Sequence, residues 1–118
     1  MLPPKNRLLK KKDFEEVKKK GRKFQSRFFG LLVQPTDKEF PRFGFILSTK
    51  ISKKATKRNR AKRLLREAVR KILPRVAPGL DVIFLGKREI FGRSQKELEF
   101  EVEKIFIQAG VVDDKNSK

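Results

Sequence analysis

From Lys50 to Arg75 the chain sets twelve cationic side chains against one acid, Glu67. Ala61, Leu64, Leu65, Ala68, Val69 and Ile72 recur there at helical spacing, so the charge rides on a helix with one apolar face. Asn59, Arg60, Lys62, Arg63, Arg66 and Arg70 fan over the opposite face, with Arg58 at the border of the apolar stripe. Such a helix has to lay its stripe on a core while its cations face solvent or a polyanion. Thr56 is expected to cap it, the helix to run from Lys57 to Leu73, and Pro74 to stop it.

The remaining charge is as lopsided. Residues 1–80 carry 25 basic and 6 acidic side chains, whereas residues 81–118 carry 7 and 8. Concentrating a net charge of +19 in residues 1–80 costs self-repulsion that a polyanion relieves, which points to nucleic acid. A membrane surface would also attract a basic amphipathic helix. A DNA-compacting protein fits less well, because the charge is confined to particular elements and 37% of the residues are hydrophobic. No apolar stretch is long enough to span a bilayer, and Leu8-Leu9 runs into Lys10-Lys11-Lys12, so neither a membrane span nor a signal peptide is expected. A cytoplasmic protein is the expectation.

With no Cys and no His, disulfides, thiolate or imidazole metal sites and a Ser-His-Asp triad are excluded. The acids do not suggest a metal nuclease either. Asp13, Glu15 and Glu16 share one short helix, Asp37 and Glu39 lie in a turn, and Glu67 suits an intrahelical pair with Arg63 or Lys71. Glu99 and Glu103 read as a solvated helix face. No catalytic and no metal-ligating residue is therefore assigned to this chain.

Residues 1–11 read as an extended basic arm, since Pro3-Pro4 opposes helix, and residues 12–110 as one domain. A short helix over Asp13–Lys20 stops at Gly21. The span Lys23–Gln34 reads as strand broken near Ser26-Arg27, and Phe43–Ser48 as a strand apolar enough for a central position. Pro78-Gly79 turns the chain into a buried strand over Asp81–Gly86. Ser94 opens a last helix, Glu97 completes a capping box, and Leu98, Val102, Ile105, Phe106 and Ala109 form its stripe up to Gly110. The tail, residues 111–118, is expected to fray. The sum is a single-domain α+β two-layer sandwich.

Arg58-Asn59-Arg60, Lys62-Arg63, Leu65 and Arg66-Glu67, preceded by Lys50, Lys53, Lys54 and Ala55, resemble the signature of the protein subunit of bacterial ribonuclease P. Arg7-Leu8, Asp13-Phe14, Val17 and Gly21 resemble the family's opening. Arg42-Phe43-Gly44 and Asp81-Val82-Ile83-Phe84 with Lys87 extend the likeness over roughly residues 5–109. The resemblance implies an αβββαβα fold with a four-stranded sheet and a left-handed βαβ crossover, against the usual hand. It implies a division of labour as well. A catalytic RNA removes the 5′ leader of precursor tRNA with Mg2+ held mainly by RNA, while the protein, monomeric by itself, binds that RNA and the leader and raises substrate and magnesium affinity.

Carried over residue by residue, the RNA-binding set is Lys50, Lys53, Lys54, Lys57, Arg58, Asn59, Arg60, Lys62, Arg63 and Arg66. The leader cleft would hold Phe14, Lys18 and Leu32, with Lys50 and Lys87 near it. Lys18 and Leu32 stand where some relatives have aromatics. Phe28, Phe43 and Phe45 could supply replacement stacking if they face the cleft, although each reads first as core. The alternative from another class is a small basic ribosomal or RNA-assembly protein with no catalytic partner.

Overall fold

A computed structural model describes residues 2–112. Helix α1 (Lys11–Lys20) leads to strands β1 (Arg22–Gln25), β2 (Phe29–Pro35) and β3 (Arg42–Ile46). Helix α2 (Ala55–Ile72), strand β4 (Leu80–Gly86) and helix α3 (Gln95–Gln108) follow, which is the expected αβββαβα order. The strands form one sheet in the order β1-β2-β4-β3. β2 is antiparallel to β1 and to β4, whereas β3 runs parallel to β4, with α2 as the crossover between them.

Alternation along the strands assigns the two faces. Phe29, Leu31 and Val33 of β2, Phe43 of β3, and Val82 and Phe84 of β4 join the main core with Leu65 and Val69 of α2 and Val102 and Phe106 of α3. Leu32 and Ile83 point the other way, into a smaller cluster with Leu8 and Val17. α1 thus covers the second face, adding a partial layer to the expected sandwich of sheet and helices. Arg42 fastens that layer: it makes two bonds to Asp81, at 2.9 and 2.7 Å, and reaches Asp13 of α1 at 3.3 Å. The Asp81 bonds hold the Arg42 guanidinium above its ordinary pKa.

Several boundaries differ from expectation. β3 is an edge strand, and β4 takes the interior place beside β2. β3 could be apolar on an edge because residues 2–10 cover it, with the Leu8 N–H donating to the Phe43 carbonyl at 2.8 Å. Asn6 is buried and donates to the Pro41 carbonyl at 2.7 Å, and Leu2 is buried in the core. The basic arm is therefore docked, and Pro4 opens a 3-10 turn over Pro4–Asn6 instead of blocking helical structure. At the other end Val111 and Val112 are buried, and the Ala77 N–H donates to the Val111 carbonyl at 2.9 Å. Of the tail expected to fray, these two residues are packed; residues 113–118 lie outside the described residues.

α2 begins at Ala55 with Lys54 in the cap position and no side-chain cap, so Thr56 lies inside the first turn. The capping box of α3 forms as expected, with Ser94 Oγ accepting from the Glu97 N–H and Glu97 accepting from the Ser94 N–H. Glu99 and Glu103 are not a solvated face: they pair with Lys71 at 2.9 Å and Arg75 at 2.6 Å, tying α3 to the end of α2. Glu101 is buried and accepts from Ser26 Oγ at 2.6 Å. Glu67 bonds Arg70, three residues on, and Lys71 adds a weaker Coulombic pull on its carboxylate.

Candidate nucleic-acid interface

The apolar stripe of α2 decides where its cations go. With Ala61, Leu65, Ala68, Val69 and Ile72 buried, Lys57, Asn59, Arg60, Arg63 and Arg66 are exposed, and Arg58 and Lys62 are half-buried at the margins. The loop before the helix adds exposed Lys50, Lys53 and Lys54. Ser48 and Ser52 shape it by accepting from the N–H groups of Lys50 and Lys54, at 3.0 and 3.2 Å. Arg58 donates to the Ser52 carbonyl at 2.8 Å and Arg88 to the Lys50 carbonyl at 3.3 Å, so arginines brace the lysine loop. All ten residues expected to bind RNA thus fall on one helix and the loop entering it.

The expected leader residues are less unified. Phe14 lies over Gly44, where a Cβ would sit 2.6 Å from the ring, so the glycine makes room for the aromatic. It lines a groove of about 340 Å3 along β3, with Leu8, Leu9, Phe45, Lys62 and Arg66 among its walls. The Arg66 guanidinium lies 5.8 Å from the centre of the Phe45 ring, a cation–π contact. Lys18 is exposed one turn along α1 from Phe14, on the same side of the helix. Leu32 does not line the cleft: at 4% exposure it packs with Leu8, Val17 and Ile83. Lys87 is turned to the β1–β2 connection, where its ammonium donates to the Ser26 carbonyl at 2.7 Å.

Of the three phenylalanines that could replace lost stacking, Phe28 and Phe43 are core and Phe45 is half-buried in the groove. Phe45 and Leu9 join the expected set on the strength of the structure. Leu9 carried a weak signal, an apolar residue beside three lysines, and it is 75% exposed.

Several carboxylates are occupied within the fold. Asp13 and Asp81 hold Arg42, Glu99 and Glu103 hold cations of the α2 end, and Glu101 holds Ser26. Among the described residues no group of three or more acids comes together at a spacing that would hold a metal ion. No helix among them is long and apolar enough to cross a membrane.

The family model described as Ribonuclease P matches residues 2–110. A ribonuclease P protein component from Synechocystis sp. is 33% identical over 118 residues, covering 99% of this chain and 95% of the relative. One from Chloroflexus aggregans is 35% identical over 105 residues, covering 88% and 77%. Among solved structures, the RNase P protein of Staphylococcus aureus superposes with a TM-score of 0.82 at 23% identity, over 92% of this chain and 98% of that one. The RNase P protein from Thermotoga maritima gives 0.78 at 23%, over 86% and 96%. Together these favour the ribonuclease P reading over a ribosomal or assembly protein. The chain belongs to the ribonuclease P protein family, whose members are subunits of the ribonuclease that processes the 5′ ends of tRNA.

Proposed function

We propose that the outer face of α2 and the lysine loop before it dock this chain on the catalytic RNA of ribonuclease P, while the groove along β3 receives the single-stranded 5′ leader of precursor tRNA. One observation carries the second half: Phe14 and Phe45 present aromatic surface in the same groove as Lys62 and Arg66. A strand laid there can stack bases on the rings and set phosphates against the cations, and each stacked base contributes about 1–3 kcal/mol. Lys62 and Arg66 border both surfaces, so the leader would enter beside the docked RNA. Cleavage itself would belong to the RNA, with its magnesium, as membership of the ribonuclease P protein family supports. The protein would act from the cytoplasm as a single copy per RNA. Among the described residues the large exposed hydrophobics, Leu9 and Phe100, lie on different segments and form no broad apolar face for self-association.

The test compares the holoenzyme's affinity for precursor tRNA with its affinity for mature tRNA, which has no leader. Phe14→Ala should shrink that difference by about fivefold or more and leave mature tRNA binding unchanged. An unchanged difference would remove Phe14 and its groove from leader binding.

A further inference from the structure

A second groove, of about 390 Å3, opens on the other margin of α2, between its first turns and the segment 90–92. Its floor is apolar, built from Ala61, Leu64, Ile90 and Phe91, and its rim is cationic, from Lys57 and Arg60. Ala61 and Ile90 are buried, whereas Phe91 is half-buried, with part of its ring in the groove. Gly92 forms one wall in the left-handed region, at φ +81°, and a Cβ there would meet nothing within 4 Å, so that side is open. Hydrogen bonds fix both ends. Gln95 donates to the Leu64 carbonyl at 3.2 Å, and Arg88 to the Lys50 carbonyl at 3.3 Å. The groove is thus preformed between braced elements.

We propose that this groove takes one unstacked nucleobase of the catalytic RNA, laid on Phe91, with the flanking phosphates held by Lys57 and Arg60. This rests on the ribonuclease P reading above and adds to it a base-capture site. The chemistry selects the occupant. No acid lines the groove, and neither Lys57 nor Arg60 has a hydrogen bond or ion pair among the described residues, so an apolar peptide would leave two cations unanswered beside it. A base with its two phosphates satisfies floor and rim together. The cavity also falls within the size range of sites that take a small ligand.

The chain has neither Trp nor Tyr, so a single introduced indole reports its own surroundings. Phe91→Trp in the full chain places that indole in the groove, and Phe100→Trp places one at a position 67% exposed on α3, outside the groove. Each is titrated with a bacterial ribonuclease P RNA transcript, and binding is followed independently by anisotropy of end-labelled RNA. The Phe91→Trp emission should be quenched in step with binding, and the Phe100→Trp emission should not. Phe91→Leu keeps apolar bulk without a π face; it should weaken RNA binding about fivefold while leaving the salt dependence unchanged. RNA that binds with full affinity to Phe91→Leu, or without quenching Phe91→Trp, overturns the base-capture site and leaves the subunit reading intact. A parent chain that does not bind the transcript overturns both.

Discussion

Arg58 and Arg60 are two residues apart and have different tasks. Arg60 is exposed with no partner among the described residues, while Arg58 is half-buried and holds the Ser52 carbonyl at 2.8 Å. Arg60→Ala should therefore weaken RNA binding, lower the slope of log K against log salt by about 1, and leave thermal unfolding in place. Arg58→Ala should lose a comparable phosphate contact and also loosen the lysine loop, so its affinity loss should exceed that of Arg60→Ala. Titrations at several salt concentrations, beside melting curves, separate the two. Equal losses and equal slopes would mean that the Ser52 tether does not organise the loop. Lys18 and Leu32, expected together in the cleft, part company for a reason that sequence hides: α1 lies over Leu32, and only the packing of α1 on the sheet decides which of them meets solvent.

α2 is the element whose two faces differ most, one buried in the core and one exposed and cationic. Leu65 is fully buried under it, so Leu65→Glu should cost about 4 kcal/mol or more and leave little folded protein. A parent-like melting curve would refute the facing of the helix. In α3, Ser94→Ala should cost about 1 kcal/mol by removing the cap, seen as a drop in Tm. The bond from the Ser94 N–H holds the Glu97 carboxyl below its usual pKa. That contribution is present above the ordinary carboxylate value and is lost as pH falls through the lowered folded value. The Tm gap between parent and Glu97→Ala should thus close in acid; a gap that widened there would contradict the box. α2 was legible from its periodicity alone and α3 from periodicity and its capping box, because each carries a local pattern that tertiary contacts reinforce. The edge position of β3 was not. Its apolar run matches an interior strand, and what shields it is a segment over thirty residues earlier, whose Leu8 bonds Phe43. Likewise Glu99 and Glu103 looked solvated because their partners, Lys71 and Arg75, lie on α2 and in the turn that follows it.

Across the whole molecule, one half-buried arginine joins the layers. Asp81 is 4% exposed and makes two bonds to Arg42, which also reaches α1 through Asp13. Asp81→Asn leaves that guanidinium short of its main counter-charge and should cost about 3 kcal/mol in urea unfolding. A loss below half of that would mean Asp13 and solvent suffice. The proposed RNA-binding face can be read through its charge: if about five phosphates are neutralised, RNA affinity should fall with a log–log salt slope of about −3.5 to −4.5. Salt dependence shows an electrostatic interface but does not show which RNA is meant, so the central claim needs chemistry. The most direct measurement is release of the leader from a 5′-extended precursor tRNA at low magnesium, with a bacterial ribonuclease P RNA alone, this protein alone, and the two combined. A subunit of that enzyme predicts cleavage at the mature 5′ end chiefly in the mixture and none from the protein alone. Cleavage by the protein alone, or binding to the RNA with no change in its cleavage, would contradict it.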